Sequence, residues 1–181
     1  MKCYFDMEFT GLHQNTTPVS IGIVDENNRT FYGEFSDYDK SQVDDWLQDN
    51  VIAHLELDES NENPYEYDFG NVTDWRIKGD TKIIKHAMEL WFNYYSNPIE
   101  MWSDCLAYDW MLFCQLWGGA LKVPEKIFYI PFDLCTLLWT RGLDPDINRE
   151  DFVRGYLKDE GKKHHSLHDA RVIKAIYEML N

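Results

Sequence analysis

The first short apolar run of the chain covers residues 3–9, is rich in aromatics and stops at Gly11. Its length and its glycine stop predict a β-strand. Residues 18–24 (PVSIGIV) predict a second strand and residues 30–36 (TFYGEFS) a third. The turn-rich link between them makes the three an antiparallel meander. A short helix is expected over residues 39–50, with Val43, Trp46 and Leu47 on one face. Residues 51–80 are polar and acidic without clear periodicity, with weak structure at most over 51–57 and 65–72.

Helical spacing returns over residues 81–95, where Ile84, Ala87, Met88, Trp91 and Tyr94 share a face and Asp80 is placed to cap the N-terminus. Beyond Pro98, residues 99–105 predict a strand and 107–117 an apolar helix closed by Gly118 and Gly119. Residues 127–131 (IFYIP) predict another strand, and residues 132–141, 148–157 and 166–180 predict helices. The last carries the stripe Leu167, Ala170, Ile173, Ile176, Tyr177, Leu180. Three strands followed by alternating helices and strands imply an α/β protein. Its sheet is mixed and five-stranded, a meander plus two parallel strands, flanked by helices. A length of 181 residues with no repeat and no linker fits one domain over residues 1–181.

Composition narrows the chemistry. The net charge is −15, which argues against a broad basic nucleic-acid footprint. The imbalance is uneven: residues 1–140 hold 9 basic and 24 acidic side chains, and residues 141–181 hold 8 of each. An acidic protein can still act on phosphodiesters if divalent ions bridge its carboxylates to the substrate. Cys3, Cys105, Cys114 and Cys135 form no CxxC pair and read as reduced core thiols. No apolar run is long enough to cross a bilayer, and the chain enters its first strand with no secretory-type apolar segment, so the expected location is cytoplasmic. No GxGxxG or P-loop supports a cofactor enzyme.

Carboxylates carry the candidate chemistry. Asp6 and Glu8 lie two apart on the first strand, so both side chains face one way. Two like charges on an otherwise apolar strand call for a cation, and Mg²⁺ or Mn²⁺ suits hard oxygen donors. Asp109 falls in the first turn of a helix leaving the carboxyl end of a strand, where active sites of open α/β sheets gather. Asp104 and Asp133 read as helix N-terminal charges and no more. Asp169 lies near the start of the last helix. His164, five residues earlier, sits on the preceding loop with a pKa suited to proton transfer, and His165 and His168 compete for that role.

Asp6-x-Glu8-x-Thr10-Gly11-Leu12, Tyr108-Asp109 and His164-x-Ser166-Leu167-x-Asp169-Ala170 together resemble, in order, the three signatures of the DEDDh exonucleases. These form the DnaQ-like branch of the RNase H-like superfamily. The segment Ala107-Tyr108-Asp109-Trp110, with Cys114-Gln115-Leu116-Trp117-Gly118, is similar to the small bacterial and phage 3′-5′ exoribonucleases; Ser166 stands where the family usually has Ala. The resemblance implies that Asp6, Glu8, Asp109 and Asp169 hold two Mg²⁺ or Mn²⁺ ions about 4 Å apart. It makes His164 the general base, gives Glu8 a second contact to the terminal 3′-OH, and implies a nucleoside 5′-monophosphate product. Thr10, Gly11 and Leu12 would underlie the last nucleotide, with Leu12 as an apolar wedge. Phe9 and Tyr108 adjoin the motif carboxylates and are the rings expected to stack on bases.

The implied substrate is the 3′ end of single-stranded RNA, with no membrane partner and with a homodimer allowed. A DNA exonuclease of the proofreading type carries the same motifs. A non-catalytic binding module on this fold would be expected to have lost one or more carboxylates, and all four are here.

Overall fold

In the computed structural model, which describes residues 1–57, 74–158 and 161–181, the first apolar run becomes β1, Lys2–Phe9. It is paired on both sides, antiparallel to β2 (Pro18–Asp25) and parallel to β5 (Glu100–Ser103). β3 (Thr30–Phe35) continues the antiparallel meander. Two parallel additions complete the sheet, β4 (Asp74–Gly79) on β3 and β6 (Phe132–Asp133) on β5. The strand order is β4-β3-β2-β1-β5-β6, and β2 alone among the described strands runs against the rest. This mixed α/β arrangement, flanked by helices, is consistent with an RNase H-like fold.

The strand alternation of β1 assigns its side chains to two layers. Cys3, Phe5 and Met7 enter a core with α2 (Thr81–Asn93) and α3 (Leu106–Trp117). Tyr4 belongs to the opposite core, with α4 (Leu134–Thr140), α5 (Arg149–Val153) and α6 (Ser166–Leu180). Asp6 and Glu8 therefore share the α6 side of the sheet, as the two-residue spacing requires.

Asp80 caps α2 by accepting from the backbone N–H groups of Lys82 and Ile83, and Gly118 closes α3 with φ of 83°. α1 (Asp45–Asn50) is capped by Asp44 and follows a 3₁₀ turn at Lys40–Gln42, so the helix expected over 39–50 is split.

Among the described residues the sheet has six strands where the sequence pattern predicted five. The addition is β4, whose alternation of buried Trp75, Ile77 and Gly79 with Asp74, Arg76 and Lys78 was masked by charge. The weak structure expected over 65–72 lies outside the described residues. A second difference lies at residues 127–131. Only Ile127 pairs there, in an isolated bridge to Ile99, while Phe128, Tyr129 and Ile130 are exposed. Pro131 cannot donate to a ladder, and the strand forms just after it. The helix expected over 148–157 is confined to α5.

The α6 backbone sits directly on β2. A Cβ on Gly22 would lie 2.2 Å from the Leu167 nitrogen and 2.3 Å from the Ser166 carbonyl carbon. Gly22 is opposite Asp6 in register, and Ser20 and Ser166 hydroxyls are 2.9 Å apart beside it. Gly22→Ala should therefore cost about 3 kcal/mol, the upper end for overpacking a tight core. Urea unfolding checks this; a loss below about 1 kcal/mol would mean that α6 can lift away freely.

Candidate active site

The carboxyl ends of β1 and β5 open into a cleft of about 580 Å³. Asp6 and Glu8 reach it from β1, and Asp169 from the first turn of α6. Asp109, in the first turn of α3, lies beneath them, with no exposed surface. Ser103 donates a hydrogen bond to Asp109 Oδ2, whereas the buried Oδ1 has no hydrogen-bond partner.

His164 occupies the loop before α6 with φ of 63°, a left-handed conformation that is uncommon for a residue with a Cβ. Its backbone N–H donates to Asp169 Oδ2 at 2.8 Å, so the strained residue also orients a carboxylate. Its Nδ1 is 3.9 Å from Glu8 Oε1. The Trp46 ring meets the imidazole edge-on, with centroids 5.2 Å apart.

Among the described residues the potential donor atoms form three groups, each within 4.8 Å internally: Glu8, His164 and Asp169; Asp6, Asp104 and Asp109; and Glu150, His168 and Asp169, which shares Asp169 with the first. Oxygen donors with at most one imidazole per group, and an orphaned buried carboxylate oxygen among them, fit a hard divalent cation. Burial, and after it the mutual repulsion of the carboxylates, pushes Asp6 well above the usual carboxylate range. Burial does the same to Asp109 against the opposing hydrogen bond from Ser103. Glu8 is pushed up to about 8 and Asp169 to about 7, again mainly by desolvation. His164 is lowered by burial and by the neighbouring Lys163 and His54, which favours its neutral form.

The competing histidines are engaged elsewhere. His165 stacks on Tyr32 with centroids 4.5 Å apart and lies 3.4 Å from Glu56 Oε1. His168 is buried, with Nε2 3.0 Å from Glu150 Oε1.

Leu12 is 71% exposed on the cleft rim, next to Gly11, whose φ is 144°. Phe9 lines the cleft and stacks on Tyr108, with centroids 5.3 Å apart; Tyr108 itself faces an adjoining groove. Thr10 is turned inward instead. Its hydroxyl accepts from the Thr17 N–H at 2.9 Å and donates to Gln42, so it shapes the loop rather than facing the cleft.

Asp104 is more than a helix-end charge: it joins Asp6 and Asp109 and pairs with Arg149 at 3.1 Å. Its position just past β5 was the available signal. Trp46 and Cys105 also line the cleft. The expected core role fails for Cys105, which is exposed because it flanks the helix start rather than facing the core. Desolvation and the neighbouring Asp109 and Asp104 push its thiol up to about 12, which disfavours the thiolate.

Fold and cleft together define a mixed α/β protein with a carboxylate-rich site suited to divalent cations. No protein-family model matches the chain. It is similar to the 3′-5′ exoribonuclease Rv2179c of Mycobacterium tuberculosis strain H37Rv, with 25% identity over 143 residues, 78% of this chain and 76% of the relative. The 3′-5′ exoribonuclease MT2234.1 of Mycobacterium tuberculosis strain CDC 1551 matches with the same 25% identity and coverage.

The raised carboxylates fix the sign of a pH effect. Glu8 at about 8 and Asp169 at about 7 bind protons in the folded chain that the unfolded chain, near 4.5 and 3.8, has already released. With divalent ions chelated, the melting temperature should therefore fall as pH rises from about 5 to about 8. Excess Mn²⁺ should flatten that slope. A chelated protein whose melting temperature rises with pH would contradict this electrostatic picture.

Proposed function

We propose that the chain is a divalent-metal-dependent 3′-5′ exoribonuclease of the DEDDh type, releasing nucleoside 5′-monophosphates from single-stranded RNA 3′ ends. The observation that carries this reading is the convergence of Asp6, Glu8, Asp109, Asp169 and His164, from separate parts of the chain, around one cleft. The relatives named as 3′-5′ exoribonucleases support the substrate class and the direction of attack.

Asp6, Glu8, Asp109 and Asp169 would hold the ions, Mg²⁺ or Mn²⁺. Bound there, the ions supply positive charge that neutralises the carboxylates, polarises the phosphodiester and acidifies the attacking water. His164, neutral near pH 7, takes the proton from that water. The resulting nucleophile attacks phosphorus in line, the P–O3′ bond breaks, and the 3′ oxygen of the shortened strand leaves with the bonding pair and takes a proton from solvent to become a hydroxyl. Glu8 reaches the 3′-OH of the departing nucleotide. Leu12 and Trp46, on the rim, present apolar surface to the terminal base, and Phe9 backs them. Gly11 lets the backbone approach the sugar, since its φ of 144° suits glycine almost alone.

A gel time course with 5′-labelled single-stranded RNA and matched DNA tests the reading. RNA should shorten stepwise from its 3′ end in Mg²⁺ or Mn²⁺ and remain intact in EDTA or with Asp6→Ala. Faster loss of DNA would reassign the substrate, and no cleavage of either would leave a binding module. His164→Ala should slow hydrolysis by about 10²–10⁴, the usual worth of a positioned base. Trp46→Ala should raise KM more than it lowers kcat.

A further inference from the structure

Arg149 begins α5, is part-buried at the cleft wall, and directs three guanidinium N–H groups into the protein. Nε donates to Asp104 Oδ2 at 3.1 Å, Nη1 to the Ile147 carbonyl at 2.6 Å and Nη2 to Cys135 Sγ at 3.2 Å. Such a clamp, anchored on α4 and the loop before α5, fixes one oxygen of Asp104 only. Asp104 Oδ1 accepts no hydrogen bond from any described residue, and Asp104 lines the cleft. A ligand atom of Asp104 lies within 4.8 Å of those of Asp6 and Asp109. Asp109 provides the independent sign that this group awaits a ligand: it is wholly buried, yet its Oδ1 has no partner.

Resting on the metal centre just argued, we propose that Asp104 is a fifth metal-binding carboxylate, on the Asp6–Asp109 side, with Arg149 as the positioning residue that holds it there. Holding the part-buried Asp104 carboxylate still beside the two buried acids Asp6 and Asp109 opposes their repulsion, because free Asp104 would swing away from them. The Arg149 charge offsets that repulsion without using the oxygen a cation needs.

Calorimetric titration of the nucleic-acid-free protein with Mn²⁺ tests the assignment, comparing wild type with Asp104→Asn/Arg149→Gln, Arg149→Gln and Asp6→Asn. The double variant removes both charges together, so local net charge is unchanged. It should weaken one Mn²⁺ binding step at least tenfold, and Arg149→Gln, which keeps the carboxylate but releases it, should weaken the same step by a smaller factor, between wild type and the double variant; wild-type affinity in Arg149→Gln would overturn the positioning role. Wild-type affinity in the double variant overturns the inference. An equal loss in Arg149→Gln and in the double variant also overturns it, since the pair would then act only by shaping the loop. Asp6→Asn separates the two levels: if it binds Mn²⁺ like wild type, the metal centre itself is wrong. If it loses binding while the double variant does not, only the role of Asp104 is wrong. Should circular dichroism show the double variant unfolded, Asp104→Glu replaces it. That variant keeps the charge and displaces the carboxylate, and unchanged Mn²⁺ affinity would overturn the assignment.

Discussion

Four carboxylates packed at one end of a sheet are a constraint that the rest of this molecule must satisfy. Asp6 and Asp109 are nearly or wholly removed from water, and Glu8 and Asp169 are mostly so. Burying a charge is expensive unless it is paired, and pairing like charges makes it worse. An arrangement like this persists only if the scaffold is stiff enough to oppose the repulsion. β1 is held between two strands, and α6 is seated on β2 with no room for a side chain at Gly22. The Ser103 hydroxyl holds one oxygen of Asp109, and the backbone of His164 holds one of Asp169.

The other end of the same sheet offers a contrast. Asp25 is also buried, but it accepts from the backbone N–H groups of Asn27 and Arg29 and from the Tyr95 hydroxyl. Arg29 is enclosed by the rings of Trp75, Trp91, Tyr94 and Tyr95 and donates to the Trp91 carbonyl. There the protein supplies hydrogen-bond partners to both buried charges, and cation–π contacts add to the packing. At the cleft it supplies too few. Two buried charge systems on one sheet thus differ in whether they are complete without help.

Much of this was legible in the sequence because the signals were local. A two-residue spacing puts Asp6 and Glu8 on one face in any strand, and an Asp before an apolar run caps a helix wherever it occurs, as Asp80 does. The motif residues needed only their order along the chain. What was missed depends on tertiary context. β4 hides buried Trp75, Ile77 and Gly79 among charges, and its pairing with β3 is set by the sheet, not by its own pattern. Thr10 sits among residues that face the cleft, yet its loop folds back through Thr17 and Gln42. Trp46 was placed on an apolar face, but α1 is too short to bury it and leaves it over His164. Asp104 lacks a periodic signature altogether; only the convergence of β1, β5 and α5 reveals its neighbours.

The chain order of these elements has a temporal consequence. β1 carries the first two acids, while His164 and Asp169 arrive with α6, the last helix of the fold. Proteins are made from the N-terminus, and long-range contacts form late because closing a large loop costs entropy. A growing polypeptide can lay down β1, β2 and β3 early and gather their apolar face on α2. Until α6 has emerged and docked on β2, however, the cleft lacks one wall and two of its chemical groups. Whatever the site does to its substrate, it cannot do before the growing polypeptide has been made through α6.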